Sequence, residues 1–333
     1  MLAELAAYPD AALDADRYGQ GALLDSFERR IATELGKESA VFMPSGTMAQ
    51  LIALRIWCER SGVSRIAYHP LSHLAVHEAQ AFSMLHGLSS IHVGTQVRLI
   101  APSDLAAIRD RIGAFLVELP QREIGAQLPA WDDLLELCKV AREREMRLHL
   151  DGARLWEAAP HYGRSHAEIA ALFDSVYVSF YKGLGGIAGA VLAGDADFIA
   201  EARVWQHRHG GRLVSLYPFV LAAQRGFEER LPRMAGYRER ARAIAARLAE
   251  IGGVHVNPNP PHTNTFHVLL PGTKEELEGR AHAIARETGV WSFGSLYPTI
   301  WPQLCKWEFV TGDATADVSD DEIVAIVEQI VAP

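Results

Sequence analysis

Asp151 ends the apolar run RLHLD and is followed at once by Gly152, Ala153 and Arg154. A carboxylate at the carboxyl end of a parallel strand points into the crevice where doubly wound folds bind ligands, and an ionised Asp there needs a cationic partner. Lys182 closes a second apolar run, SVYVSFYK, and leads into Gly183, Gly185 and Gly186. Lysine is a poor nucleophile at its ordinary pKa of about 10.4, yet it forms Schiff bases once its charge is suppressed. A third segment, Ser45-Gly46-Thr47, follows the run SAVFMP and opens a helical pattern. Backbone N–H groups at such a turn, with the helix dipole and the hydroxyls, cradle an anion such as phosphate. Each feature alone has a plainer reading: helix caps for Ser45, Thr47 and Asp151, a solvated surface charge for Lys182.

Their combination is more specific. The 31 residues from Asp151 to Lys182 are the length of one βαβ unit, so the two side chains are expected at one sheet edge on nearby strands. An Asp, a Lys and a phosphate cradle on one edge make a pyridoxal 5'-phosphate site: the carboxylate keeps the pyridine nitrogen protonated and the lysine carries the cofactor. Ser179, three residues before Lys182, is expected to lend its hydroxyl to the same phosphate. His69, His73 and His77 recur every four residues, as zinc ligands on a helix would, but Pro70 interrupts any helix joining them and no HExxH order is present. No metal is expected.

The elements that must position these groups alternate along the chain. LLDSFERRIATELG, TMAQLIALRIWCER and PAWDDLLELCKVARERE read as helices, and SAVFM, RIAYH, SSIHV, AFLVEL, RLHLDG, SVYVSFY and AGAVLAG as short strands. This predicts an α/β fold with a mostly parallel, doubly wound sheet over residues 21–230, after an amino-terminal arm at 1–20. From 231 to 333 the helix LPRMAGYRERARAIAARLAEIGG, a strand pair around a Pro/Asn loop, KEELEGRAHAIARETG and SDDEIVAIVEQIV predict a smaller α+β carboxy-terminal domain. Net charge is −9, with 32 Lys and Arg against 41 Asp and Glu and no basic block, which argues against a nucleic-acid partner. Three scattered cysteines, Cys58, Cys138 and Cys305, and no basic amino-terminal segment or membrane-length apolar run, favour a cytoplasmic protein without a membrane partner.

The stretches FMPSGTMAQLIAL, LHLDGARLWEAA and SVYVSFYKGLGGIAGAVLAG resemble those of L-threonine aldolases, in the β-eliminating lyase group with the aspartate-aminotransferase-type fold (fold type I); the likeness extends from ADRYGQGALLDSFERR through VWQHRHGG to DVSDDEI. The resemblance implies a carbon–carbon lyase using pyridoxal 5'-phosphate. In it Lys182 carries the cofactor, Asp151 pairs with the pyridine nitrogen, Gly46 and Thr47 hold the phosphate, Arg154 binds the substrate carboxylate and His73 stacks on the ring. It also implies a homodimer or homotetramer acting on a small amino acid. The expected reaction is aldol cleavage of a β-hydroxy-α-amino acid to glycine and an aldehyde; the alternatives are β-elimination and a catalytically weak relative that binds. The sequence departs from the family on the substrate side: VELPQREIG sets Gln121 or Arg122 where a second histidine is usual, and CKWEFVTGD sets Glu308 where an arginine is usual. Gln121 and Glu308 are therefore expected to face substrate, with Phe180, Tyr181 and Trp307 leaving room for a larger or cationic β-substituent and adding cation–π attraction.

Overall fold

The computed structural model describes residues 2–8 and 14–332, and the chain divides into two compact units. The first runs to Glu123 and again from Leu128 to Arg233; the second comprises Ile124–Gln127 and the chain from Met234 onward. Of the segment expected as an amino-terminal arm, Leu2–Ala6 is helical, while residues 1 and 9–13 lie outside the described ones. Among the described residues no helix is long and apolar enough to cross a membrane.

The first unit holds a seven-stranded sheet of β1 (Ser39–Met43), β2 (Arg65–Tyr68), β3 (Ser89–His92), β4 (Ala114–Glu118), β5 (Arg147–Gly152), β6 (Ser175–Ser179) and β7 (Ala190–Gly194), in the order β1-β7-β6-β5-β4-β2-β3. All seven are the strands read from the sequence. Neighbours from β3 to β6 pair in parallel, and β7 runs against both β6 and β1. Strands buried on both faces read as continuous apolar runs rather than alternating ones, as β4, β6 and β7 do.

The helix Gly46–Ser61 is buried almost all round, through Ala49, Leu51, Ile52, Ala53, Leu54, Ile56 and Trp57, which explains why its sequence lacks a polar face. Ser45 caps it by accepting from the Met48 N–H (3.3 Å), and Gly62 ends it in the left-handed conformation. Trp57 stacks on Phe198 at 4.5 Å and donates to the Ser175 hydroxyl (2.7 Å), which also meets His149 Nδ1 (2.8 Å). His149 is fully buried, and desolvation pushes its pKa down to about 3.

The second unit has an antiparallel sheet of β8 (His255–Asn257), β9 (Thr265–Pro271), β10 (Leu296–Pro298) and β11 (Leu304–Val310), in the order β10-β11-β9-β8. Phe266, Val268 and Leu270 of β9 and Cys305, Trp307 and Phe309 of β11 form its core with the helices Met234–Leu248, Lys274–Thr288 and Asp320–Val331. The hairpin of β10 and β11 adds to the strand pair expected from the sequence. It places Glu308 inside a strand, opposite His267.

Candidate active site

Three side chains of neighbouring parallel strands stand in one row. Glu118, the last residue of β4, is the register partner of Asp151 on β5, which in turn pairs with Tyr177 on β6. Paired residues of adjacent strands project from the same sheet face. Asp151 is buried; Oδ1 accepts from the Ala153 N–H (3.1 Å), and Oδ2 is buried with no hydrogen-bond partner. Glu118 accepts from the backbone N–H groups of His73 (2.8 Å) and Arg122 (3.2 Å), and burial together with the neighbouring Asp151 raises its pKa to about 7.

Lys182 enters this row from the turn after β6. The turn is closed by the Gly186 N–H donating to Phe180 O (2.7 Å) and the Gly185 N–H to Lys182 O (2.9 Å), with Gly185 at φ 63°, a conformation that favours glycine. The Lys182 ammonium has no hydrogen bond among the described residues and lies 6.0 Å from the Tyr181 ring. Burial first, and the Arg154 guanidinium second, lower its pKa, while Asp151, Glu118 and Glu157 act in the opposite direction. Arg154, the residue before the helix Leu155–Tyr162, likewise keeps its guanidinium free of hydrogen bonds among the described residues. One turn further on, Glu157 is buried with its Oε2 unpartnered, and desolvation raises its pKa against the pull of Arg154 and Lys182.

Gly46 has no room for a side chain, because a Cβ there would overlap the Tyr177 hydroxyl. The first turn of its helix therefore lies directly against the residue beside Asp151, and this unites the Ser45-Gly46-Thr47 turn with the row. His73 opens the single helical turn His73–Val76, which Ser72 caps, and its ring Nδ1 lies 2.9 Å from Glu78 Oε1. The histidines diverge to separate partners. His69 reaches Arg98 O (2.9 Å) and the Leu71 N–H (3.1 Å), and His77 reaches Glu123 (2.9 Å).

Three of the groups expected at the site are engaged within the chain. The Ser179 hydroxyl donates to Ala153 O (2.8 Å), so it braces β6 against the turn after Asp151, and donation to a phosphate would break that bond. The amide of Gln121 is buried and donates to Leu71 O (2.9 Å) and Glu118 Oε2 (3.3 Å), which ties both of its hydrogens to the scaffold. Phe180 is fully buried, 5.1 Å from Phe27 and 6.0 Å from Trp156, and is core rather than pocket wall. Glu308 faces His267 across β11 and β9 at 4.0 Å and lines, with Trp307, a cavity of about 520 Å³ within the second unit. Sequence reading passed over Glu118, Glu157 and Glu78. Glu118 ends an apolar strand just as Asp151 does, so the same signal identifies it.

These residues suit pyridoxal phosphate. A buried carboxylate oxygen lacks a donor, burial lowers the pKa of the lysine near it, and a helix whose first residue has no side chain packs against Tyr177, the register partner of that carboxylate residue.

The fold is that of the fold type I pyridoxal-phosphate enzymes. A Leishmania major threonine aldolase superposes with a TM-score of 0.75 at 20% identity, over 99% of this chain and 94% of that one. The family model of the beta-eliminating lyases matches residues 3–271, and the chain belongs to that family. A Listeria monocytogenes protein of solved structure, provisionally named an L-allo-threonine aldolase, is 46% identical with a TM-score of 0.95, covering 99% of this chain and 91% of its own. Low-specificity L-threonine aldolase 1 of Arabidopsis thaliana is 28% identical over 77% of this chain and 74% of its own length.

Proposed function

We propose that this protein is a carbon–carbon lyase that uses pyridoxal 5'-phosphate to cleave β-hydroxy-α-amino acids into glycine and an aldehyde. The observation that carries the reading is the unpartnered Asp151 Oδ2 at the strand ends from which Lys182 follows, an amine with no hydrogen bond among the described residues and a pKa lowered by burial. Family membership and the similarity to proteins named as threonine aldolases support it. When bound, the cofactor supplies an electron sink for the electrons of the breaking Cα–Cβ bond.

The chain's own residues do the rest. Lys182 Nζ would be the point of attachment, and Asp151 Oδ2, which has no other donor, would accept the pyridine N–H and keep that nitrogen protonated. The N–H groups of the Ser45-Gly46-Thr47 turn hold the phosphate, and Arg154 pairs with the substrate α-carboxylate. His73 would pack against the cofactor, and its Nε2 would take the proton of the β-hydroxyl, a task that Gln121 cannot perform because an amide is no base at neutral pH.

The protein acts as a homodimer or homotetramer in the cytoplasm, a compartment consistent with three buried free cysteines. Light scattering checks the assembly: a stable active species of 36.6 kDa would contradict it. Borohydride reduction and peptide mapping are expected to place a pyridoxyl group on Lys182. A panel of β-hydroxy and β-substituted amino acids is then expected to release glycine and aldehyde, whereas ammonia and a keto acid would assign β-elimination instead.

A further inference from the structure

His73 is held at two points by two different carboxylates. Glu118 Oε2 takes its backbone N–H, and Glu78 Oε1 takes its ring Nδ1 at 2.9 Å. Glu78 is buried, and the same Oε1 accepts from Gln50 Nε2 (2.9 Å), a buried side chain of the helix that starts at the Ser45-Gly46-Thr47 turn. A carboxylate can only accept, so Nδ1 must carry the ring hydrogen, and the lone pair of the neutral imidazole then sits on Nε2. Nε2 has no hydrogen-bond partner among the described residues.

The backbone turns sharply just beyond Glu78. The chain leaves the single turn His73–Val76, and immediately after Glu78 both Ala79 (φ 49°) and Gln80 (φ 56°) adopt the left-handed conformation, which non-glycine residues avoid. Two such residues in succession persist only where the surroundings impose them, and they concentrate at functional sites. Burying a carboxylate with one oxygen unpartnered is also a poor stability device, since an apolar side chain of similar size generally does as well or better.

We propose that Glu78, braced by Gln50, is the positioning residue that fixes His73 as the Nδ1–H tautomer and presents its Nε2 lone pair to the substrate β-hydroxyl. The inference rests on the aldol reading given above for what the lone pair does. The other ionisable groups around this pair are Glu118 at the end of β4, Arg122 and Glu123 just beyond it, Tyr177 on β6, and His77, whose ring lies 5.1 Å from that of His73. His77 is engaged by Glu123 at 2.9 Å, which leaves Glu78 to His73.

The test has a structural and a kinetic arm. In protein labelled with ¹⁵N-histidine, with His73 assigned by its loss in His73→Phe, the His73 nitrogens are expected to show Nδ1–H. Glu78→Ala is expected to release the ring to the Nε2–H form. In the isosteric Glu78→Gln, kcat for release of aldehyde is expected to fall by about 10- to 100-fold with KM nearly unchanged, as for other buried partners that orient a functional histidine. Adding Glu78→Gln to His73→Phe should cost nothing further, since Glu78 acts only through that ring. An unchanged tautomer in Glu78→Ala, or a full additional loss in the double variant, overturns the proposal. A wild-type enzyme that releases no glycine and aldehyde would instead overturn the aldol reading, and the tautomer measurement would still decide the role of Glu78.

Discussion

The two compact units treat buried charge in opposite ways. The core of the second is apolar, built from β9 and β11 against three helices, and its ion pairs, such as Arg240 with Asp320 (2.9 Å) and Arg247 with Asp321 (2.8 Å), sit near the surface. Its buried unpartnered atoms among the described residues are neutral: Asn264 Oδ1 and Ser292 Oγ. In the first unit, buried carboxylate oxygens of Glu78, Asp151 and Glu157 lack partners, and all three belong to the candidate site. Unpartnered buried nitrogens occur elsewhere in the first unit, as at Arg144 Nε and His149 Nε2, but its unpartnered buried carboxylate oxygens gather at the site, where a ligand would supply the missing donors. The second unit is organised for stability alone at its core, whereas the first gives up stability at one sheet edge.

Substitutions in the two units should therefore fail in different ways. Phe309→Ala removes a ring that packs 5.1 Å from Phe266 and 4.8 Å from Trp307, and should destabilise the second unit by about 3–5 kcal/mol in a denaturant melt. A loss below about 1 kcal/mol would show that this core is not tightly packed.

Asp151→Asn should behave in the reverse manner. It keeps the fold and the visible cofactor band but loses turnover on the order of 10²- to 10³-fold, because an amide cannot hold the pyridine nitrogen protonated. Near-normal rates would reduce Asp151 to a cap for the Ala153 N–H.

The smallest effect is the most direct probe of the contrast. Glu157 has its pKa raised by burial, so the native state binds its proton more tightly than the unfolded state does, and its contribution to stability declines as pH rises above about 4.5, the unfolded value. Glu157→Gln removes that dependence. The cofactor-free variant should melt higher than wild type by about 1 kcal/mol near neutral pH, with the gap closing below pH 4.5 or so. A gap independent of pH would show that Glu157 is not the titrating group.

What could be read from the sequence follows the same division. The seven strands of the first sheet are legible because each is a short apolar run bounded by glycine or charge, and Asp151 and Lys182 stand out because a charge ends such a run. β11 was readable too, since LCKWEFV alternates buried Cys305, Trp307 and Phe309 with Lys306 and Glu308. It was overlooked because the turn at Thr299–Gln303 carries none of the Asn-Gly or Asp-Gly signals of a tight hairpin. Glu78 was not readable: it meets His73 only because the helix stops after a single turn, at Val76, and the sequence HLAVHEAQ carries no glycine or proline to mark that stop. Nor does a sequence reveal that Gln121 and Ser179 donate to the scaffold, because Leu71 O and Ala153 O are backbone carbonyls 50 and 26 residues away.

The row of register partners also acts as a ruler. Neighbouring strands are held about 4.8 Å apart by the ladder itself, so Glu118, Asp151 and Tyr177 mark three graduations across about 10 Å. No loop contributes to that scale. Beyond the positions they lend to the site, Gln121, Arg154 and Lys182 among them, the connections after β4, β5 and β6 can lengthen, shorten or change composition, reshaping the mouth through which substrates arrive, while the spacing of the row stays the same.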